Sequence, residues 1–236
     1  MKVLGLAFRG AHRSAVETPE AGRCKFVVTV NADFVVRAHE GDERLRRIID
    51  TNISTFDGFW PWLVARLRHP SAQCDKISGS DLIYRYADMC KASGRQLLIV
   101  GGAATDAADS LNNRANARVA TGWDAPFENY PMSADYIATF RAQIQAQRPL
   151  AVAVCLGSPK QEYLIEDHLA FMAENGVAFA YGAGGTADMV AGRFKRAPKL
   201  IQDIGLEGAW RLLTQPSLFR LKRLFKSVKM FRYCLD

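Results

Sequence analysis

Two runs of residues late in the chain have the types and spacing that a phosphate or sugar ligand requires. They are Gly157-Ser158-Pro159-Lys160-Gln161-Glu162 and Gly182-Ala183-Gly184-Gly185-Thr186-Ala187-Asp188. Each follows an apolar run, 151–155 and 177–181, whose Val, Ala and aromatic content predicts a buried strand. A strand that stops at glycine exposes backbone N–H groups and the start of the next helix, and both can receive an anion. Gly184, Gly185 and Thr186 are therefore candidates for holding a diphosphate, and Glu162 and Asp188 could equally be first-turn acids that compensate a helix dipole. Earlier candidates are Asp57-Gly58, Thr29 and Asn31 at the end of a predicted strand, Gly101-Gly102 after another, and Arg196 ahead of Ala197-Pro198. Asp57 could take a proton from a hydroxyl or cap the helix beginning near Phe59. Asn31 reads equally as a turn residue. Gly101-Gly102 permits close approach of a nucleotide or merely a tight turn. The guanidinium of Arg196 suits bidentate recognition of sugar or phosphate oxygens, with a surface ion pair as the alternative.

The elements that must position these groups follow from periodicity. Strands are expected at 25–30, 96–100 and 118–121, in addition to the two above. Helices are expected at 41–51, 80–92 with Ser80 as N-cap, 103–113 and 133–147, and residues 59–67 form an apolar segment. Strands alternating with helices imply an α/β fold with a mainly parallel sheet covered by helices on both faces. Beyond Pro198 the pattern is helical throughout, broken by Pro216. The expected division is an α/β core over 1–198 and a helical, basic appendage over 199–236. In the appendage Leu218, Leu221, Leu224, Phe225, Val228 and Phe231 share one arc of a helical wheel, opposite Arg220, Lys222, Arg223, Lys226 and Lys229. Phe219 and Met230 fall within the basic face. Such a helix is expected to lie in an anionic lipid interface, the alternative being that its apolar arc packs on the domain or on another subunit.

The 236 residues are 49% apolar, enough for a sizeable core. No apolar stretch approaches the roughly 20 residues that span a bilayer, and residues 1–22 are too charged for a signal peptide, so a cytoplasmic protein is expected. Five single cysteines without CxxC spacing indicate reduced thiols rather than a zinc or disulfide framework. Of the net charge of +7, the basic share sits in residues 193–236, which hold 11 Lys/Arg against 3 Asp/Glu. No Asp-x-Asp occurs, and His12, His39, His69 and His168 lack ligand spacing, so no metal site is expected.

Taken in order, Thr29-Val30-Asn31, Asp57-Gly58, Ser78-Gly79-Ser80-Asp81-Leu82, Gly157 to Glu162, Gly182 to Thr186 and Arg196-Ala197-Pro198 resemble the WecG/TagA/CpsF glycosyltransferase family. Gly205-Leu206-Glu207 and Trp210-Arg211 extend the resemblance, which runs from about Phe26 to about Pro216. The resemblance implies a Rossmann-like core with a helical appendage. It also implies an inverting, non-processive enzyme that moves a sugar from a UDP-sugar to a polyprenyl-diphosphate-linked glycan acceptor in cell-surface polysaccharide synthesis. Asp57 matches the family's proposed base, and Thr29 and Asn31, followed by Asp33, match its Thr-x-Asn element for a sugar hydroxyl or for orienting the base. Gly157, Lys160 and Gln161 fall in the active site. Arg211 matches an arginine that closes over the leaving diphosphate. Arg220 and Arg223 stand near a further arginine position that Leu218 occupies here. No cofactor is expected, the UDP-sugar being substrate, and no metal, since arginines and backbone dipoles can offset the diphosphate charge; a location on the inner face of the cell membrane is expected, with homo-oligomerisation open. A Rossmann-like oxidoreductase is the alternative, against which no Gly-x-Gly-x-x-Gly follows the first strand. A nucleic-acid partner is not expected, because neither stacking aromatics on a sheet nor a groove-reading unit is visible.

Overall fold

The structure is a computed structural model that describes residues 1–203, 205–214, 216 and 218–234; at 203, 211, 219, 220 and 222–224 it describes the backbone only. The strands are β1 (Lys2–Val3), β2 (Leu6–Ala7), β3 (Lys25–Val30), β4 (Ile53–Phe56), β5 (Leu97–Val100), β6 (Ala120–Trp123), β7 (Ala151–Val154) and β8 (Phe179–Gly182). β1 and β2 form a small antiparallel pair, and the other six form one sheet in the order β4-β3-β8-β7-β5-β6. The β3–β8, β8–β7, β7–β5 and β5–β6 pairings are parallel. Every residue of β3, β5, β7 and β8 is buried, as a parallel sheet covered on both faces requires. This is the α/β fold with a parallel sheet read from the alternation of elements, and the Rossmann-like core that the resemblance implies.

Local departures from the sequence reading have local causes. β4 escaped notice because half of it is polar. Ser54 and Thr55 are fully buried there, their hydroxyls donating to the carbonyls of Ile49 (2.5 Å) and Ile77 (3.1 Å). The expected elements pass from the strand ending before Asn31 to a helix at 41–51 and omit the helix Ala32–His39. It starts because the Asn31 side chain accepts the Phe34 N–H at 3.2 Å. Helix Gly79–Ser93 begins before Ser80, which is therefore inside the first turn rather than its N-cap. β6 lies two residues later than expected. Asn112 holds the approach to it, accepting from the amides of Val119 (2.7 Å) and Ala120 (2.9 Å).

The chain divides into two compact units: Met1–Ala15, Val28–Ser78 and Arg196–Asp236 form one, and Val16–Val27 and Gly79–Lys195 the other. In the first, Phe8 stacks on Phe56 (centroids 4.2 Å apart), Leu45, Ile48 and Ile49 are fully buried, and Asp50 accepts the Ala7 amide. In the second, Tyr86 packs against Phe179 and Tyr181, and Arg95 gives its guanidinium to the carbonyls of Arg148, Pro149 and Gly176 just ahead of β7 and β8.

The C-terminal segment belongs to the first unit. Its described residues form the helices Lys199–Asp203, Glu207–Thr214 and Leu218–Val228 and a 3-10 turn, Lys229–Tyr233. Gly205 breaks the first from the second at φ +77°, where a Cβ would press on Phe59 and Trp60. The turn docks on the helix Ala32–His39 and its end. Tyr233 stacks on His39 (4.0 Å, 7°), Phe231 meets Trp60 edge-on, and Glu40 pairs with Lys229 (2.8 Å) and Lys226 (3.5 Å). Met230, expected on the basic face, is fully buried. The apolar arc stays open, with Leu218 77%, Phe225 69% and Val228 59% exposed. Phe219 and Leu224 lie outside the described side chains. Among the described residues no helix is long and apolar enough to cross a membrane.

Helix Ala104–Ala115 lies so close over β6 that a Cβ on Gly122 would overlap the backbone of Ala104 and Thr105. Gly122→Ala is expected to cost about 1–3 kcal/mol, as overpacking of a close backbone contact does, read as a shift of the urea midpoint. Buried His168, packed edge-on to Phe140, hydrogen bonds through Nδ1 to the Leu164 carbonyl at 3.0 Å. Burial foremost holds its pKa below the ordinary 6.5, outweighing the Leu164 carbonyl, which pulls the other way; the Arg141 charge adds a smaller push down and Asp167 one up. The unfolded chain then binds the proton more readily. His168 contributes fully above about pH 6.5 and its contribution falls away as pH drops below that value. Thermal unfolding at pH 7.5 and 5.5 is expected to show a smaller acid loss in His168→Gln than in the parent.

Candidate active site

The residues singled out in the sequence fall into two groups, one in each unit. In the first unit they stand at the carboxyl ends of β3 and β4. Thr29 is buried near the end of β3, and Asn31 directly follows the strand. Asp57 follows β4, and its amide donates to the Val30 carbonyl at 2.9 Å, which ties the residue after β4 to the last residue of β3 and draws Thr29, Asn31 and Asp57 into one neighbourhood. The N-cap of helix Phe59–Arg68 is Gly58, at φ +106°, and no side-chain cap bond closes that helix. The carbonyl of the Asn31 side chain is engaged as the cap of its own helix, so its NH₂ end is the part the cap does not use.

Beside β4 the chain returns through a parallel bridge between Phe56 and Lys76 and a hydrogen bond from the Ile77 amide to the Phe56 carbonyl, which delivers buried Ser78. Ser78 accepts from Arg196 Nη2 at 3.3 Å, and Arg196 Nε lies 4.0 Å from Glu207, in the first turn of helix Glu207–Thr214. Three motifs that were separate in the sequence thus meet on one guanidinium. Sequence reasoning assigned no role to Ser78 or Glu207; the only signal was their membership in motifs that recur in order. The side chains of Arg211, Arg220 and Arg223 lie outside the described residues.

In the second unit the group stands at the ends of β5, β7 and β8. Gly101 (φ +86°) has no Cβ because Leu156 and the Cys155 carbonyl fill that space. Gly102 comes before helix Ala104–Ala115, whose first amides are capped from other strand ends. Asp188 accepts the Ala103 N–H at 3.2 Å and Asp124 the Thr105 N–H at 3.0 Å. The Thr105 hydrogen bond above all holds the Asp124 carboxyl below its usual range. Arg193 bridges Asp188 (3.3 Å) and Asp106 (3.4 Å). A dinucleotide oxidoreductase needs that helix start for cofactor phosphate. Here carboxylates hold it, and they would repel phosphate.

Gln161 is buried, with Oε1 accepting from the amides of Gly157 (3.1 Å) and Gly184 (3.0 Å) and Nε2 donating to Glu162 Oε1 at 2.6 Å. The amide and the hydroxyl of Thr186 both donate to the Ala183 carbonyl. Two of the three amides considered for a diphosphate, those of Gly184 and Thr186, are therefore engaged within the chain, ahead of a helix of only 5 residues that follows Gly185. Lys160 Nζ donates to the Glu128 carbonyl at 2.7 Å and lies 3.9 Å from the centre of the exposed Phe127 ring. The nearby Cys155 thiol is pushed up to about 12 by burial, which makes it a poor nucleophile. Among the described residues no three His, Cys, Asp or Glu side chains converge as metal ligands would.

Each unit by itself sets candidate residues at the carboxyl ends of strands, where an α/β fold binds ligands. A family model, that of the glycosyl transferase WecG/TagA/CpsF family, matches residues 1–235, effectively the full chain and every motif described above. The chain belongs to the WecG/TagA/CpsF glycosyl transferase family and is thus a glycosyltransferase of cell-surface polysaccharide synthesis.

Proposed function

We propose that this transferase moves a hexosyl or N-acetylhexosaminyl group from a UDP-sugar to a polyprenyl-diphosphate-linked glycan, with inversion, and that Asp57 is its base. The observation that carries this reading is the hydrogen bond from the Asp57 amide to the Val30 carbonyl, which sets a carboxylate beside Thr29 and Asn31 at adjoining strand ends. In the step proposed, an acceptor hydroxyl oxygen attacks the anomeric carbon as the bond from that carbon to the UDP oxygen breaks, and the Asp57 carboxylate takes the hydroxyl proton. UDP departs with the bonding electron pair. Arg196, aimed by Ser78 and Glu207, together with Arg211 and either Arg220 or Arg223, offsets the charge on the diphosphate, so the transfer proceeds without a metal ion. Thr29 and the Asn31 NH₂ group bind sugar hydroxyls. In the second unit Gly101, Gly102, Gly185 and Lys160 are the candidates for contacting the nucleoside part of the donor. Residues 1–198 are the catalytic core, and 199–236 the appendage that completes the site and rests on the inner membrane face.

UDP release from a panel of UDP-sugars, with a short-chain polyprenyl-diphosphate glycan as acceptor, tests this. Acceptor-dependent release is expected from one donor, reduced about 10²- to 10⁴-fold in Asp57→Asn, the range for loss of a general base. It is expected to persist in excess EDTA. Release unaffected by Asp57→Asn would remove Asp57 from the chemistry.

The open apolar arc of the last helix supports the membrane reading. The full chain is expected to co-sediment with vesicles containing anionic phospholipid and to lose most of that binding when Leu221, Phe225 and Val228 are replaced by Ser. Retained binding in that triple variant would assign attachment to another surface.

A further inference from the structure

We propose that Gln161 is a positioning residue, whose carboxamide clips the loop after β7 to the loop after β8 without itself contacting substrate. This rests on the transferase reading only in that those loops carry residues proposed to contact the donor; the clip itself is a property of the second unit's geometry.

A carboxamide oxygen has two lone pairs, and both are used here: the amides of Gly157 and Gly184 converge on Gln161 Oε1 at 3.1 and 3.0 Å. The two glycines lie 27 residues apart in sequence, beyond the ends of adjacent strands, and each adopts a left-handed backbone, φ +78° and +55°, that turns its N–H to the common point. Glu162 fixes which way the carboxamide faces. Its carboxylate can only accept when ionised, so it takes the Nε2 end at 2.6 Å and leaves Oε1 for the loops. The reverse orientation would set NH₂ against two N–H donors and oxygen against oxygen. Space for the clip is reserved in the backbone beneath it. A Cβ on Gly182, the last residue of β8, would coincide with the Gln161 carboxamide and a Glu162 carboxylate oxygen. Gln161 and Glu162 are 4% and 2% exposed. With its oxygen saturated by backbone and its nitrogen held by Glu162, the side chain is built to hold two loops in register.

The test uses the full-length protein and two readouts: hydrogen exchange of peptides covering Gly157 and Gly184, and acceptor-dependent UDP release. Gln161→Ala and Gly182→Ala are each expected to speed exchange in both loops about tenfold or more while leaving β5 peptides unchanged, and to lower kcat more than they raise the donor KM. Gln161→Glu keeps the shape but puts a second carboxyl against Glu162. At pH 7.5 their repulsion is expected to open both loops. Near pH 5 a shared proton is expected to restore protection and activity relative to the parent at the same pH, an acid-side gain that simple loss of packing would not give. Unchanged protection of both loops in Gln161→Ala, with a raised donor KM, would overturn the clip and make Gln161 a substrate contact, as would exchange that rises in one loop only. If Gln161→Ala does not fold, the two pH values of Gln161→Glu decide. Should no donor support transfer by the parent protein, the transferase reading fails while the exchange result still judges the clip.

Discussion

A parallel strand that ends at the carboxyl edge of a sheet leaves amides with no neighbouring strand to accept them, and this constraint organises the rest of the structure. Buried N–H groups without partners are costly, so something must accept each one. Water would do it in an open loop. Here the chain uses its own side chains: Asn31 for the helix after β3, Asp188 and Asp124 for the helix after β5, and Gln161 for the loops after β7 and β8. The acceptor usually comes from a different strand end than the amide it serves, so these caps also brace one loop against another. Amides satisfied in this way are withdrawn from ligand binding.

Most of the fold was legible because burial writes itself into composition. β3, β5, β7 and β8 are buried along their whole length and read as continuous apolar runs, so their positions were correct to within about two residues. β4 was invisible for the converse reason, its two middle positions being hydroxyl side chains whose burial is compensated by partners distant in sequence. The helix Ala32–His39 was lost to a conflict between propensity and capping. Its adjacent valines favour a strand, while one hydrogen bond to Asn31 starts a helix.

The candidate site was legible as a set of motifs but not as a set of contacts. Asn31 illustrates the gap, since its two readings, turn residue and ligand residue, belong to opposite ends of one carboxamide: the oxygen serves the helix and the nitrogen remains for another role. Arg196 illustrates it differently. A guanidinium is useful only when aimed, and what aims this one comes from residue 78 and residue 207, a separation that no local pattern records. Asp188 looked like dipole compensation for its own helix, yet its oxygen caps another one.

The tail shows how magnitude separates two forces that its sequence presents together. Its basic residues suggest attraction to anionic lipid, but Lys226 and Lys229 are already paired with Glu40, whose carboxyl the Lys229 hydrogen bond above all holds below its usual range. Exposed pairs of this kind are weak and screened by salt, so lipid headgroups can replace one partner at little cost, for a gain of about 1 kcal/mol per basic residue near the surface. Burying an exposed Leu, Phe or Val is worth about 1.5–3 kcal/mol each, and Leu218, Leu221, Phe225 and Val228 all stand open along one helix. On the membrane reading the apolar arc therefore supplies most of the adhesion and the basic residues select the anionic leaflet. The same segment is fixed to the helix that Asn31 caps, through Tyr233 on His39, so on that reading a force on the tail is felt by the backbone that carries the first unit's candidate residues.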